Sequence, residues 1–163
     1  MRALVLNPPS SRAVFRDHYC ASEAKSAYLW HPLDLLIQGA CLSAAGWDVE
    51  AVDAVASGAT LASIEQRLRT SPDLAVVLVA ERTWTQDKAC LEMLKAKGVQ
   101  RIAASGDFLR FGSGPFEEAR GLVDWVLTDF TTPHLPTTVE AGAPTGAGIA
   151  TLDMIAAGAF ADM

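Results

Sequence analysis

Short apolar runs alternate with helical spacing along most of the chain. Ala3-Leu4-Val5-Leu6 is a brief apolar run that stops at Asn7-Pro8-Pro9, where proline cannot continue a central strand. From Ser10 to His31 no periodic pattern appears, a long gap for a connection between strand and helix. Pro32 to Ala45 then reads as a helix. Asp34 lies in its first turn, Leu33, Leu36, Ile37, Ala40, Cys41 and Ala44 follow its spacing, Leu35 and Leu42 widen the apolar face, and Gly46 stops it. Residues 48–53 alternate and predict a second strand near a sheet edge, and Thr60 is placed to cap a helix carrying Leu61, Ile64 and Leu68.

Leu74 to Ala80 has nothing polar on either face, the mark of a central parallel strand covered on both sides. A helix over Thr85–Lys97 follows, with Cys90, Leu91, Met93 and Leu94 inward. Arg101–Ser105 predicts a fourth strand, residues 108–114 a Gly- and Ser-containing loop, Pro115–Leu122 a helix, and residues 123–128 a fifth strand. The pattern predicts an α/β fold, Rossmann-like and doubly wound, with five parallel strands near residues 3–7, 49–53, 74–80, 101–105 and 124–128. Their expected order is the flavodoxin-like 2-1-3-4-5. Residues 1–130 form the expected domain. Residues 131–163 read as a Pro/Gly linker followed by a short apolar segment, Ile149 to Phe160, which is either the fifth helix or a docking arm for a partner.

Composition narrows the classes. The chain has 163 residues, half of them apolar and a fifth charged, enough for one full core. A net charge of −6 argues against nucleic acid as a partner, since phosphate binding needs clustered Lys and Arg. Cys20, Cys41 and Cys90 form no metal or disulfide spacing, which suits a reducing cytoplasm. The first residues suggest no signal peptide, and no run is long enough to cross a membrane. P-loop, GxGxxG and GxSxG motifs are absent. A receiver-like phosphoacceptor would follow the third strand, where Ala80-Glu81 stands instead.

Several stretches in register resemble the cobalamin-binding domain of B12-dependent radical SAM enzymes. Leu4-Val5-Leu6-Asn7-Pro8-Pro9 is similar to that family's opening strand and NPP turn. Ala45-Gly46-Trp47-Asp48-Val49, Val52-Asp53-Ala54, Pro72-Asp73-Leu74 and Val123-Asp124-Trp125-Val126 resemble its later junctions and strands. The departures are Ser105-Gly106 at a Gly-Gly pair and Thr128-Asp129-Phe130-Thr131 at an acidic turn. No CxxxCxxC occurs, so no iron–sulfur cluster and no radical catalysis are expected of this chain.

The resemblance implies a corrinoid over the strand ends. Its candidate contacts are Asn7, Pro8, Ser10 and Ser11 after the first strand, Glu81, Thr83 and Trp84 after the third, and Gly106, Asp107 and Phe108 after the fourth. His18 is the candidate metal ligand, although Asp17-His18-Tyr19-Cys20-Ala21 lacks the spacing of the Asp-x-His-x-x-Gly class. Trp30 and Trp84 would stack on a macrocycle or cap the core, while Trp47 and Trp125 read as packing. The function so implied is a free-standing module that holds or delivers cobalamin for a partner enzyme or protein subunit. The alternative is a B12-binding-like fold that has lost its ligand and serves as an interaction or regulatory module.

Overall fold

The structure, a computed structural model, describes residues 1–16, 21–23 and 31–158. In chain order its strands are β1 (Arg2–Asn7), β2 (Val14–Arg16), β3 (Ala21–Glu23), β4 (Asp48–Asp53), β5 (Leu74–Leu78), β6 (Arg101–Ser105), β7 (Trp125–Leu127) and β8 (Ile149–Ala150). Its α-helices are α1 (Leu33–Ala44), α2 (Ala54–Ser57), α3 (Leu61–Arg67), α4 (Trp84–Ala96), α5 (Asp107–Phe111), α6 (Leu135–Ala141) and α7 (Leu152–Ala156).

The main sheet runs β4-β1-β5-β6-β7-β8. Its five parallel strands keep the expected 2-1-3-4-5 order, and β5 is central, buried on both faces. The expected count of five strands is corrected to six. β8 pairs antiparallel with β7, Val126 opposite Ala150 and Leu127 opposite Ile149. On one face Leu4, Val77, Ala104 and Val126 meet Ile64, Leu91, Leu94, Phe108 and Leu152 from α3, α4, α5 and α7. On the other, Val5, Val76 and Leu127 meet Leu35 and Leu42 of α1 and Leu135 of α6.

Several local expectations are corrected. The patternless stretch after β1 contains an antiparallel hairpin, β2–β3, with Arg16 opposite Ala21. Residues 108–114 are not all loop, because α5 runs to Phe111 and ends at Gly112 in the left-handed region. The expected helix over 115–122 shrinks to a 3-10 turn, Phe116–Ala119. The linker-like stretch holds α6, whose Pro136 sits in the first turn, where its missing N–H costs nothing. Gly148, at φ 86°, packs against Thr132, and its carbonyl accepts from the N–H groups of Thr128 and Asp129.

The buried face of α1 is also rotated from expectation. Asp34, Leu35, Gln38, Gly39 and Leu42 face inward, while Leu33 and Leu36 are 60% and 47% exposed. Two constraints turn the helix. The Gln38 amide donates to the carbonyls of Phe130 (2.6 Å) and Thr132 (3.0 Å) beyond β7. A Cβ at Gly39 would already touch Val5 at 3.6 Å, so this face lies close on the sheet.

The tail completes the core. Ile149, Ala150, Leu152 and Ile155 are buried, and Thr151 caps α7 by accepting from the Met154 N–H. Burial of one large aliphatic side chain is worth about 1.5–3 kcal/mol. Losing three of them removes a large share of the ~5–15 kcal/mol that typically holds a domain together. Deletion of residues 145–163 should therefore yield aggregated or unfolded protein. An unchanged thermal melting midpoint would contradict this.

Candidate functional site

β1 and β5 are neighbours whose chains leave the sheet in opposite directions, β1 towards α1 and β5 towards α4. Open parallel sheets bind ligands at such a switch point, beyond the carboxyl ends of the strands. Here that crevice holds a buried polar network. Arg16, carried in by the β2–β3 hairpin, and Asp87, in the first turn of α4, form an ion pair at 2.7 Å with both side chains 0% exposed.

The guanidinium is bound on several sides. Its Nε donates to Thr83 Oγ1 (3.0 Å), and one terminal nitrogen donates to Asn7 Oδ1 and the Pro8 carbonyl, both at 2.9 Å. The second oxygen of Asp87 accepts from the Ala80 N–H (2.9 Å) and from the Thr83 hydroxyl (2.7 Å). Asn7 donates to Asp53 at the end of β4 (2.9 Å), and Asp53 caps α2 by accepting from the Ala56 N–H (3.1 Å). One connected network thus ties β1, β2, β4, β5 and α4. Burial pushes the Asp87 carboxyl above the usual carboxylate range, against the opposing pull of Arg16, Thr83 and the Ala80 N–H.

Around this floor the candidate residues separate into two groups. Asn7, Pro8 and Thr83 are buried and spent on Arg16. Trp84 and Phe108 pack edge to face, 5.2 Å between ring centroids, so both serve the core. The Trp84 indole donates to Glu118, which also pairs with Lys88 at 2.8 Å; the Lys88 ammonium first, and the indole second, hold that carboxyl below its usual range. Gly106 is set by close approach, since a Cβ there would lie 2.3 Å from the Val79 carbonyl oxygen. Ser10, Ser11, Glu81 and Asp107 reach the surface in whole or part. His18 and Trp30 lie outside the described residues, while Trp47 and Trp125 are core residues.

Arg16 and Asp87 were missed as site residues. Asp87 had a signal, because it shares the stripe of Cys90, Leu91 and Leu94, where a carboxylate needs a buried partner. Arg16 had none beyond its place in the patternless stretch. Cys90 lies directly beneath, and burial pushes its thiol up to about 12.

No protein-family model matches the sequence, and no curated protein matches it. Among solved structures the chain is similar to the radical S-adenosylmethionine methyltransferase TsrM from Kitasatospora setae. In the form with tryptophan substrate and the SAM analogue aza-SAM bound, identity is 14% and the TM-score 0.63, covering 93% of this chain and 28% of that one. In the form with cobalamin and a [4Fe-4S] cluster bound, identity is 16% and the TM-score 0.62, covering 93% and 27%. The likeness is one of fold, and the chain spans about a quarter of the TsrM length.

A corrinoid over the strand ends would meet accessible polar side chains at its periphery. Ser10, Ser11, Glu81 and Asp107 would offer hydroxyls and carboxylates to a ring fringed with amides. The floor does not suit deep insertion between β1 and β5, because Arg16 fills that space. Among the described residues no three His, Cys, Asp or Glu side chains cluster as a metal site, and no helix is long and apolar enough to cross a membrane.

Two outcomes test the network. Removing one partner of a buried ion pair strands the other charge, at about 3–5 kcal/mol, whereas replacing both with apolar side chains is often neutral or stabilising. Asp87→Ala should therefore lower stability by that order in denaturant titration, and Arg16→Met with Asp87→Leu should recover most of it. A mild Asp87→Ala effect would contradict the burial of the pair. Cys90 should resist iodoacetamide in the native protein and react only on unfolding, read by peptide mass spectrometry. Rapid native labelling at Cys90 would contradict its placement.

Proposed function

We propose that this chain is a corrinoid-binding module that holds cobalamin, flat over a closed floor, for a partner protein. The observation carrying this reading is the match of nearly the whole chain to part of a protein that has cobalamin bound. The buried network of Arg16, Asn7, Thr83 and Asp87 would give such a ring a firm base, and the accessible Ser10, Ser11, Glu81 and Asp107 would meet its edge. Bound cobalamin would supply the reactive cobalt; the side chains of this chain would orient the ring and exclude water beneath it. The partner enzyme would bring the substrate and the remaining chemistry.

A second reading rests on a separate observation. The exposed Leu33 and Leu36 on α1, with the filled crevice, suit a fold that has lost its ligand and binds another protein. One titration separates the two. Hydroxocobalamin should co-elute with the protein in gel filtration, and calorimetry should give a single site weakened by Glu81→Ala with Asp107→Ala. No binding at ~100 μM, equivalent to weaker than about −5.5 kcal/mol, would overturn the corrinoid reading in favour of the interaction module.

A further inference from the structure

A groove of about 400 Å³ opens beside the switch point, over the ends of β1 and β4. It lies between the residue 9–11 turn, the α2–α3 connection and the first turns of α4. Its volume falls within the ~300–1,000 Å³ of small-molecule sites. It differs from the floor above in its chemistry, because none of its lining residues is charged.

Pro9, Val55, Leu61 and Ala89 give the groove an apolar body, and the small side chains of Ala54, Ala59 and Ala89 leave the space open. Polar groups stand at two edges. On one edge the Gln86 amide donates to Ser11 Oγ at 3.0 Å, which leaves the Ser11 hydroxyl hydrogen free to donate. The oxygen of that amide, Gln86 Oε1, is buried and has no hydrogen-bond partner among the described residues. A buried acceptor left unpaired is costly, so turning the Gln86 amide to meet a ligand N–H would be favoured. On the opposite edge Thr60 Oγ1 accepts from the Ser63 N–H within a reciprocal capping box, which fixes its hydroxyl. Thr60, Ser11 and Gln86 thus line the groove, the two hydroxyls able to donate and the amide oxygen able to accept once turned towards a ligand.

We propose that this groove is a binding site for a neutral heterocycle of nucleoside size, carrying an apolar ring face and an edge with both N–H donors and ring or carbonyl acceptors. A phosphorylated ligand is disfavoured by the same residues. No Lys or Arg lines the groove, and Pro8-Pro9 withholds two backbone N–H groups where a phosphate loop would present them. The groove does not rest on the corrinoid reading, and the two sites share only Ser10 and Ser11.

Saturation-transfer NMR with adenosine and AMP as probes tests the proposal. Adenosine should receive saturation from the native chain and bind at least as tightly as AMP. Ala89→Trp, which fills the groove from α4, should abolish the transfer, and Gln86→Leu should weaken adenosine severalfold, the share of one hydrogen bond. Both variants should melt near the native midpoint, and Ala89→Trp should leave hydroxocobalamin co-elution unchanged. If Ala89→Trp does not fold, Gln86→Leu alone decides. Absence of transfer to the native chain, an undiminished signal in Gln86→Leu, or AMP bound more tightly than adenosine would overturn the proposal.

Discussion

The burial of a single guanidinium organises the working end of this fold. A charge taken out of water must be matched by a countercharge and by acceptors for its N–H groups. Arg16 obtains the countercharge from α4 and the acceptors from the end of β1 and the turn between β5 and α4. These elements cannot move independently without exposing or stranding that charge. The hairpin, which has little apolar surface of its own in Val14 and Phe15, is pinned by the same contacts. The usual ligand crevice of an open parallel sheet thereby becomes a closed floor.

This constraint explains the division of labour among residues that look alike in the sequence. Asn7 ends β1 and Thr83 lies in the turn after β5, positions where ligand contacts are common, yet their polar atoms face inward to Arg16 and Asp87. Ser10, Ser11, Glu81 and Asp107 are only a few positions away and stay accessible. Gly106 serves the sheet, because the chain there passes against the Val79 carbonyl. Among the described residues, a polar platform above and an uncharged groove beside it stay open to solvent.

The sheet was legible because strands buried on both faces cannot hide. Leu74 to Leu78 and Ile102 to Ala104 carry no polar side chain, and glycines and capping residues separated them from the helices. What the sequence concealed were elements too short for periodicity. β2 and β3 span three residues each and β8 two, and all three depend on tertiary partners. α6 was hidden by Pro133 and Pro136, which suit a helix start as well as a linker. The rotation of α1 was hidden because its outward stripe is as apolar as a core face, while Gln38 turns inward for the carbonyls beyond β7. Arg16 was beyond reach, since its partner lies 71 residues away.

The central claim is that the Arg16 floor stays closed while a corrinoid lies above it. Observation of the Arg16 Nε–H by ¹⁵N-resolved NMR, with and without hydroxocobalamin, tests this most directly. The account predicts a signal protected from water exchange in both states, with shifts on binding confined to residues such as Glu81 and Asp107. A signal that exchanges rapidly in the free protein, or that loses its protection when the corrinoid binds, would contradict it.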